Sequence, residues 1–266
     1  MNVKELFSLE GKVAIVTGGR GLYGASISEG LAEAGAQVVI ASRSGAACEE
    51  TAAALRARGL KASGTPLDLS DDASIARFTE ETADRFGGID ILVNNAVDRR
   101  SMAPVTTVTR EALRASAAVN LDGQLLLSKA VLEKMQARRS GSVVNIGSMR
   151  GLDSPHFPFY PPELREAQPI NYTTEKWAMV GMTKYLAGWY GAYNIRVNCI
   201  APGGFNPGIS DTADGAAFEK TYVEHCPLHR WAGPDDIKGP VVFLASAAAN
   251  YVTGAVLVMD GGWTIW

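Results

Sequence analysis

The sequence predicts an α/β fold in which a doubly wound parallel sheet is flanked by helices. Short runs rich in β-branched residues recur along the 266 residues and alternate with segments of helical pattern. Most of these runs are apolar at consecutive positions, as strands covered on both faces require. A glycine-rich segment directly follows the first run, at the carboxyl end of a strand, where parallel sheets bind their ligands.

Seven segments are predicted to be strands. Six are strongly apolar and cover residues 12–17, 36–41, 91–95, 142–148, 195–201 and 255–260. The seventh, residues 61–68, has a weaker pattern but lies where the alternation of strands and helices requires a strand. Alternation of this kind builds a parallel sheet with helices on both faces.

Helical patterns occupy the segments between the strands, at residues 22–34, 45–58, 71–86, 109–138, 171–190 and 234–247. Helix-starting residues mark several of them, such as Asp71 in one case and Pro234 in another. The 12 prolines and 28 glycines are scattered, so no low-complexity linker divides the chain. We therefore expect a single domain over residues 1–266.

Charge balance and apolar pattern exclude two classes of partner. With 25 lysines and arginines against 28 aspartates and glutamates, the chain has no basic surplus to neutralise nucleic-acid phosphates. No apolar stretch is long enough to span a membrane, and the N-terminal segment lacks the apolar core of a signal peptide.

The cysteines lie far apart and the histidines lack metal-ligand spacing. The sequence therefore predicts a soluble, cytoplasmic protein without a metal site.

The glycine-rich segment TGGRGLYG, residues 17–24, lies between the first predicted strand and the first predicted helix. It contains a match to G-x-G-x-x-G that begins at Gly19. Such a loop turns tightly, admits a pyrophosphate close to its backbone and presents the free N–H groups of a helix start. This setting predicts a dinucleotide site, and the alternative is a strand–helix turn without a ligand.

The end of the second predicted strand indicates which dinucleotide is bound. An acidic residue usually holds the ribose hydroxyls of NAD there, but this strand ends in Ser42 and Arg43. Arg43 can pair with a 2′-phosphate, Ser42 can donate to it, and Arg20 adds a second cation. NADP(H) is therefore favoured and NAD(H) is possible; alternatively, Arg43 is a solvated residue at a helix entry.

Five further motifs follow the glycine-rich segment along the chain. The first three are NNA at residues 94–96, VNLDG with Asn120, and NIGS, which ends at Ser148. Tyr172 and Lys176 then form Y-x-x-x-K, and the last motif combines IRVN and APGG within residues 195–204. With the terminal DGG, these motifs resemble the short-chain dehydrogenase/reductase family over essentially residues 7–263.

The resemblance implies a Rossmann-like domain with seven parallel strands, usually a homotetramer, that transfers hydride between a nicotinamide cofactor and an alcohol or carbonyl. Tyr172 and Lys176 are four residues apart on a helix and share one face, so the ammonium can stabilise the phenolate. Tyr172 is then the general acid/base and Ser148 hydrogen-bonds the same substrate oxygen. By resemblance, Lys176 also holds the ribose hydroxyls, and Asn120 orders a water that relays protons to Lys176.

Alternatives to these roles stay open. Ser148 could start a loop, and Asn120 could be a polar helix residue that bonds its own backbone. Asp68 matches the family residue beside the adenine ring, or it shares a helix cap with Asp71. The residues expected to contact the cofactor are Gly18, Arg20, Leu22, Tyr23, Ser42, Arg43, Asp68, Leu69, Asn95, Ala96, Tyr172, Lys176, Pro202, Gly203 and Phe205.

The sequence departs from the family pattern in three places. Leu22 occupies a position that is usually glycine, and Val97 replaces the glycine of NNAG, which predicts a slightly different local backbone. The third departure is a long gap between Ser148 and Tyr172, filled by residues 152–170 with five prolines and several aromatic residues. This insertion is expected to be stiff but not helical and to wall the substrate pocket. A surface excursion is the alternative.

Two C-terminal segments also have expected roles. Residues 204–230 correspond to the variable substrate lid of the family, which closes over nicotinamide and excludes water. The apolar tail, residues 263–266, is expected to pack at a subunit interface.

Four arginines lie near the predicted pocket mouth: Arg99, Arg100, Arg150 and Arg165. They are interpreted as ordinary solvated surface residues, with an arginine site for an anionic substrate as the alternative.

These residues are consistent with three functions to different degrees. The favoured one is an NADP(H)-dependent oxidoreductase that interconverts a secondary alcohol and a ketone. A nucleotide-binding regulator without turnover is the second, and a methyltransferase on the same fold leaves the Tyr172 and Ser148 motifs without a purpose.

Overall fold

In the computed structural model, which describes residues 1–266, the seven predicted strands all form and pair in parallel within one sheet. They are β1 Val13–Thr17, β2 Gln37–Ser42, β3 Ala62–Pro66, β4 Ile91–Asn94, β5 Gly141–Ile146, β6 Ile195–Pro202 and β7 Val256–Met259. Their order is β3-β2-β1-β4-β5-β6-β7, which confirms the predicted fold class. The weakly marked β3 is an edge strand, and its last three residues are not fully buried.

Helices cover both faces of the sheet. They are α1 Val3–Phe7, α2 Leu22–Glu33, α3 Gly45–Ala57, α4 Asp72–Phe86, α5 Arg110–Ala117, α6 Gln124–Arg138, α7 Pro162–Glu166, α8 Ile170–Tyr190, α9 Ala213–His225 and α10 Lys238–Ala245. Helices form within all six segments predicted from the pattern. None of the helices is both long enough and apolar enough to cross a membrane.

Burial on both faces explains the consecutive apolar residues of the strands. All five residues of β1 are buried. Ala14 and Val16 belong to one apolar cluster, whereas Val13 and Ile15 belong to a second one. Because side chains alternate along a strand, the two clusters lie on opposite faces of the sheet.

The segment predicted as one helix over residues 109–138 is interrupted. A π-helical turn, Ala118–Gly123, joins α5 to α6 and contains Asn120. Gly123 packs so closely on the loop after β3 that a Cβ there would lie 2.0 Å from the Leu69 carbonyl oxygen. Hydrophobic periodicity does not reveal such a one-turn change, which often occurs at functional sites.

From β1 the chain crosses over to β2 on one side of the sheet centre, whereas from β4 it crosses over to β5 on the opposite side. In open parallel sheets, this switch leaves a crevice outside the carboxyl ends of the strands. Both the glycine-rich loop after β1 and the NNA motif at the end of β4 lie at that crevice.

Candidate active site

A cavity of about 1130 Å³ lies at the carboxyl ends of the strands. All but one of the predicted site residues line it, although they come from distant parts of the chain. They are Gly18, Arg20, Leu22, Tyr23, Ser42, Arg43, Asp68, Leu69, Asn95, Ala96, Ser148, Tyr172, Lys176, Pro202, Gly203 and Phe205. Asn120 is buried and is not part of the wall.

The glycine-rich loop packs its backbone against its neighbours. Gly18 has a φ of 62°, and a Cβ there would lie 2.9 Å from the Ala96 Cα. At Gly24, a Cβ would lie only 2.1 Å from the Gly18 carbonyl oxygen. Gly21 precedes α2 without a side-chain cap, so the first N–H groups of the helix stay available. This is the geometry that binds a pyrophosphate.

The two loop departures are accommodated locally. Leu22 is the first residue of α2 and is half exposed at the cavity. Val97 also lines the cavity, and its φ is not in the left-handed region. The sequence therefore replaces two family glycines without forcing a side chain into a strained backbone.

The end of β2 offers positive charge and no acid. Arg43 and Arg20 are exposed at the cavity, and neither forms an ion pair. Ser42 is half buried, and its hydroxyl lies 2.9 Å from the Cys48 thiol. Together with the glycine cradle and the uncapped helix start, these residues fit a nicotinamide adenine dinucleotide with a 2′-phosphate.

Asp68 is not the helix cap that the alternative interpretation assigned to it. Asp71 caps α4 by accepting a hydrogen bond from the Ala73 N–H. Asp68 instead accepts two hydrogen bonds from Ser70, through its N–H at 2.9 Å and its hydroxyl at 2.6 Å. These bonds hold the pKa of Asp68 below its usual value, and the Arg43 charge adds to the effect.

A hydrogen-bonded junction fixes the loops after β1 and β4. The Thr17 hydroxyl donates to the Val93 carbonyl at 3.2 Å and accepts from the N–H groups of Asn95 and Ala96, at 3.0 and 3.1 Å. The Asn95 amide donates back to the Thr17 and Gly18 carbonyls. The role of Thr17 was not predicted, although a threonine that ends a buried strand at a glycine-rich loop is a usable signal.

The Tyr172–Lys176 pair faces the cavity from α8. The Lys176 Nζ donates to the Ile146 carbonyl at 2.7 Å and lies 5.7 Å from the centre of the Tyr172 ring. Ser148 follows β5, and its hydroxyl accepts from the Arg150 N–H at 3.1 Å. Ser148 therefore both caps the turn Met149–Gly151 and lines the cavity, so the two interpretations of this residue are compatible.

Asn120 joins three elements behind the cavity. Its amide donates to the Asp98 carbonyl at 3.0 Å and to the Glu175 carboxylate at 2.8 Å, and its oxygen accepts from the Asp98 N–H at 2.7 Å. Glu175 is only 5% exposed and was missed in the sequence. The signal was available, because residues 172, 175 and 176 share one face of a helix.

The four arginines occupy different environments. Arg99 and Arg165 are exposed, and Arg100 pairs with Asp98, which lowers the pKa of Asp98 to about 2. Arg150 is only 5% exposed and lines the cavity. The interpretation as solvated surface residues is therefore wrong for Arg150, because the insertion covers its side chain.

The insertion, residues 152–170, lies behind the cavity and does not form its wall. Its Tyr160 is buried, stacks on Phe218 at 4.4 Å and accepts a hydrogen bond from Arg150 at 2.7 Å. The insertion also contains α7, contrary to the expectation of a non-helical segment. Pro161 and Pro162 stand at the helix start, where a missing N–H has no consequence.

The predicted lid, residues 204–230, contributes Gly204, Phe205 and Asn206 to the cavity wall. Its helix α9 carries Tyr222, whose ring stacks between those of Trp231 and Trp263 at 4.1 and 4.3 Å. The Trp231 indole lines the cavity, and its buried N–H has no partner. Trp263 thus packs within its own chain rather than at a subunit interface, whereas Ile265 and Trp266 are exposed.

Comparisons with known proteins agree with this geometry. Residues 20–264 match the family model described as enoyl-(acyl carrier protein) reductase. The chain is 34% identical to the 3-oxoacyl-(acyl carrier protein) reductase of Aquifex aeolicus, over 96% of this chain and 98% of that protein. It is 36% identical to the 2-dehydro-3-deoxy-D-gluconate 5-dehydrogenase of Pseudoalteromonas atlantica, over 97% of this chain and 98% of that protein.

A solved structure is similar over the whole length. Gluconate 5-dehydrogenase from Burkholderia cenocepacia, in complex with NADP and tartrate, superposes with a TM-score of 0.89 at 32% identity and covers 100% of both chains. These relatives are dehydrogenases and reductases, and they give no support to a regulator without turnover. The chain therefore belongs to the short-chain dehydrogenase/reductase family, whose members are nicotinamide-dependent oxidoreductases.

Proposed function

We propose that this protein interconverts a secondary alcohol and a ketone with NADP(H), and that Tyr172 is the general acid/base. The observation that carries the proposal is that Tyr172, Lys176 and Ser148 line the same cavity as the glycine-rich loop. The solved relative with NADP bound supports the choice of cofactor, as do the unpaired Arg20 and Arg43. When bound, the nicotinamide supplies or accepts the hydride.

In this proposal, several residues of the cavity wall bind the cofactor. The loop from Gly18 to Gly24 and the start of α2 hold the pyrophosphate, and Arg43 holds the 2′-phosphate. Asp68 and Leu69 flank the adenine ring. Lys176 binds the ribose hydroxyls, and its anchorage to the Ile146 carbonyl keeps its charge beside Tyr172.

Proton transfer takes place at the Tyr172 hydroxyl. In reduction, Tyr172 donates its proton to the carbonyl oxygen of the substrate, and in oxidation it removes the proton of the alcohol. Ser148 donates a hydrogen bond to the same oxygen. Asn120 positions the loop after β4 and the Lys176 side of α8, through its bonds to Asp98 and Glu175.

The substrate is a small molecule that reaches the cavity between the lid and the loop after β4. Two of the relatives act, by name, on gluconate or its deoxy-keto derivative. We therefore place sugar acids and polyols first among the substrates, with residues 204–230 as the lid and the insertion 152–170 as its support, all within one domain over residues 1–266.

The proposal also includes a homotetrameric assembly and a cytoplasmic location. Exposed aromatic side chains on α8, namely Trp177, Tyr185 and Trp189, support a homotetramer in which a second copy covers them. The cysteines Cys48, Cys199 and Cys226 are buried free thiols, which supports the cytoplasm as location.

The test follows the absorbance of reduced nicotinamide with a panel of polyols, sugar acids and ketones, with NADPH and NADH in parallel. We expect turnover that is faster with the NADP pair and that falls at least about 100-fold in Tyr172→Phe. The variant should bind NADPH as the wild type does, as measured by quenching of protein fluorescence. Full activity of Tyr172→Phe would overturn the assignment of this residue.

A further inference from the structure

We propose that the substrate carries a carboxylate and that the guanidinium of Arg150 binds it. The inference rests on the proposed function and names the chemical class of its substrate. Arg150 lies two residues after Ser148, lines the cavity and is only 5% exposed.

The guanidinium has only neutral partners. It donates to the Ser154 carbonyl at 2.8 Å and to the Tyr160 hydroxyl at 2.7 Å, and it takes part in no ion pair. Arginine has five N–H donors, so three of them have no partner within the protein. A buried charge without a counter-ion is costly, and an anion that enters the cavity removes this cost.

Acidic side chains of the surrounding segments form their ion pairs and hydrogen bonds with groups other than Arg150. Asp98 pairs with Arg100, and the Asp153 carboxylate accepts from the Ser154 N–H at 2.7 Å. The Asp260 carboxylate accepts from the N–H of Gly262 and from the N–H and hydroxyl of Thr264. No carboxylate of the protein therefore lies within ion-pair distance of the Arg150 guanidinium.

The ligand chemistry follows from the shape and number of the donors. A planar guanidinium matches the two oxygens of a carboxylate, and one such group balances a single negative charge. The other buried cation of the wall, Lys176, is anchored at Ile146 beside the reacting centre. We infer a hydroxy acid or oxo acid whose reacting carbon lies at Tyr172 and whose carboxylate lies at Arg150.

The experiment compares D-gluconate with D-glucitol, which differ in carrying a carboxylate or a hydroxymethyl group at one end. We expect wild type to favour gluconate, and Arg150→Met to raise its KM for gluconate about 10- to 100-fold while glucitol changes less than about threefold. Arg165→Ala removes an exposed arginine of the insertion as a matched control and should resemble wild type.

A role of Arg150 as a brace for the insertion predicts a different pattern. In that case Arg150→Met raises the KM for both substrates equally. Tyr160→Phe, which keeps the charge of Arg150 but removes its hydroxyl partner, then raises both KM values in the same way. Either that pattern or the absence of a gluconate preference in wild type overturns the inference.

A binding measurement separates this inference from the proposed reaction. In the presence of NADPH, gluconate should raise the Tm of wild type and of Tyr172→Phe, but not that of Arg150→Met, whether or not turnover occurs. A rise with inorganic phosphate and none with gluconate contradicts the carboxylate assignment. Loss of turnover on every substrate with this Tm pattern intact counts against the proposed reaction alone.

Discussion

Lys176 is held by a backbone carbonyl rather than by a carboxylate. Its bond to the Ile146 oxygen, at 2.7 Å, leaves the positive charge uncompensated by direct pairing beside the Tyr172 ring. Glu175, the preceding residue, is buried and contacts Asn120 instead. Glu175 thereby links the helical turn that carries Lys176 to the loop after β4, through Asn120.

Replacing Glu175 tests this link. Glu175→Gln keeps a side-chain oxygen that can accept from Asn120, whereas Glu175→Ala leaves the buried Asn120 amide without this acceptor. We therefore expect kcat/KM for alcohol oxidation to fall about tenfold in Glu175→Ala and to stay within about threefold of wild type in Glu175→Gln. Steady-state kinetics with the NADP pair measure both values. Glu133→Ala, at an exposed position of α6, is the control, and an unchanged kcat/KM in Glu175→Ala contradicts a role for the link.

At the scale of elements, Gly24 is the most closely packed glycine of the glycine-rich segment. Gly24 lies within α2, where alanine would ordinarily favour the helix by about 1 kcal/mol. A methyl group there meets the Gly18 carbonyl at 2.1 Å, so the loop must move away from the helix start. That movement breaks the cradle proposed for the pyrophosphate.

We therefore expect Gly24→Ala to lower the free energy of unfolding by about 1–3 kcal/mol and to weaken NADPH binding at least about tenfold. Chemical denaturation and fluorescence titration measure the two effects. Gly239→Ala in α10 is the matched control, since a Cβ there has no neighbour within 4 Å. Equal stability and NADPH affinity in both variants is the result that contradicts a close-packed loop.

The strands were predictable because burial on both faces leaves a continuous apolar signature, as in β1. Periodicity could not reveal the π turn around Asn120, since it depends on close packing of Gly123 against Leu69. Helix α9 was missed, although Phe218 and Tyr222 are four residues apart and both buried. The burial of Arg150 depends on Tyr160, which is brought to it only by the fold of the insertion.

At the scale of the whole molecule, one face of the protein is unusually aromatic. Trp177, Tyr185 and Trp189 follow each other along α8 at spacings of eight and four residues, and Gly181 lies between the first two. Tyr185 is 69% exposed and Trp189 is 62% exposed. A small residue within an apolar stripe lets two helices approach closely, so we expect a second copy of α8 to cover this face.

The double variant Tyr185→Glu/Trp189→Glu tests this assembly. Two carboxylates placed in an apolar contact lose their hydration, at a cost of several kcal/mol each, so the contact should not form. We expect wild type to have the mass of a tetramer by size-exclusion chromatography with light scattering, and the variant a smaller mass with an unchanged circular-dichroism spectrum. Tyr251→Glu, at a fully exposed loop position, should stay tetrameric. A monomeric wild type, or a double variant that stays tetrameric, excludes α8 as the contact surface.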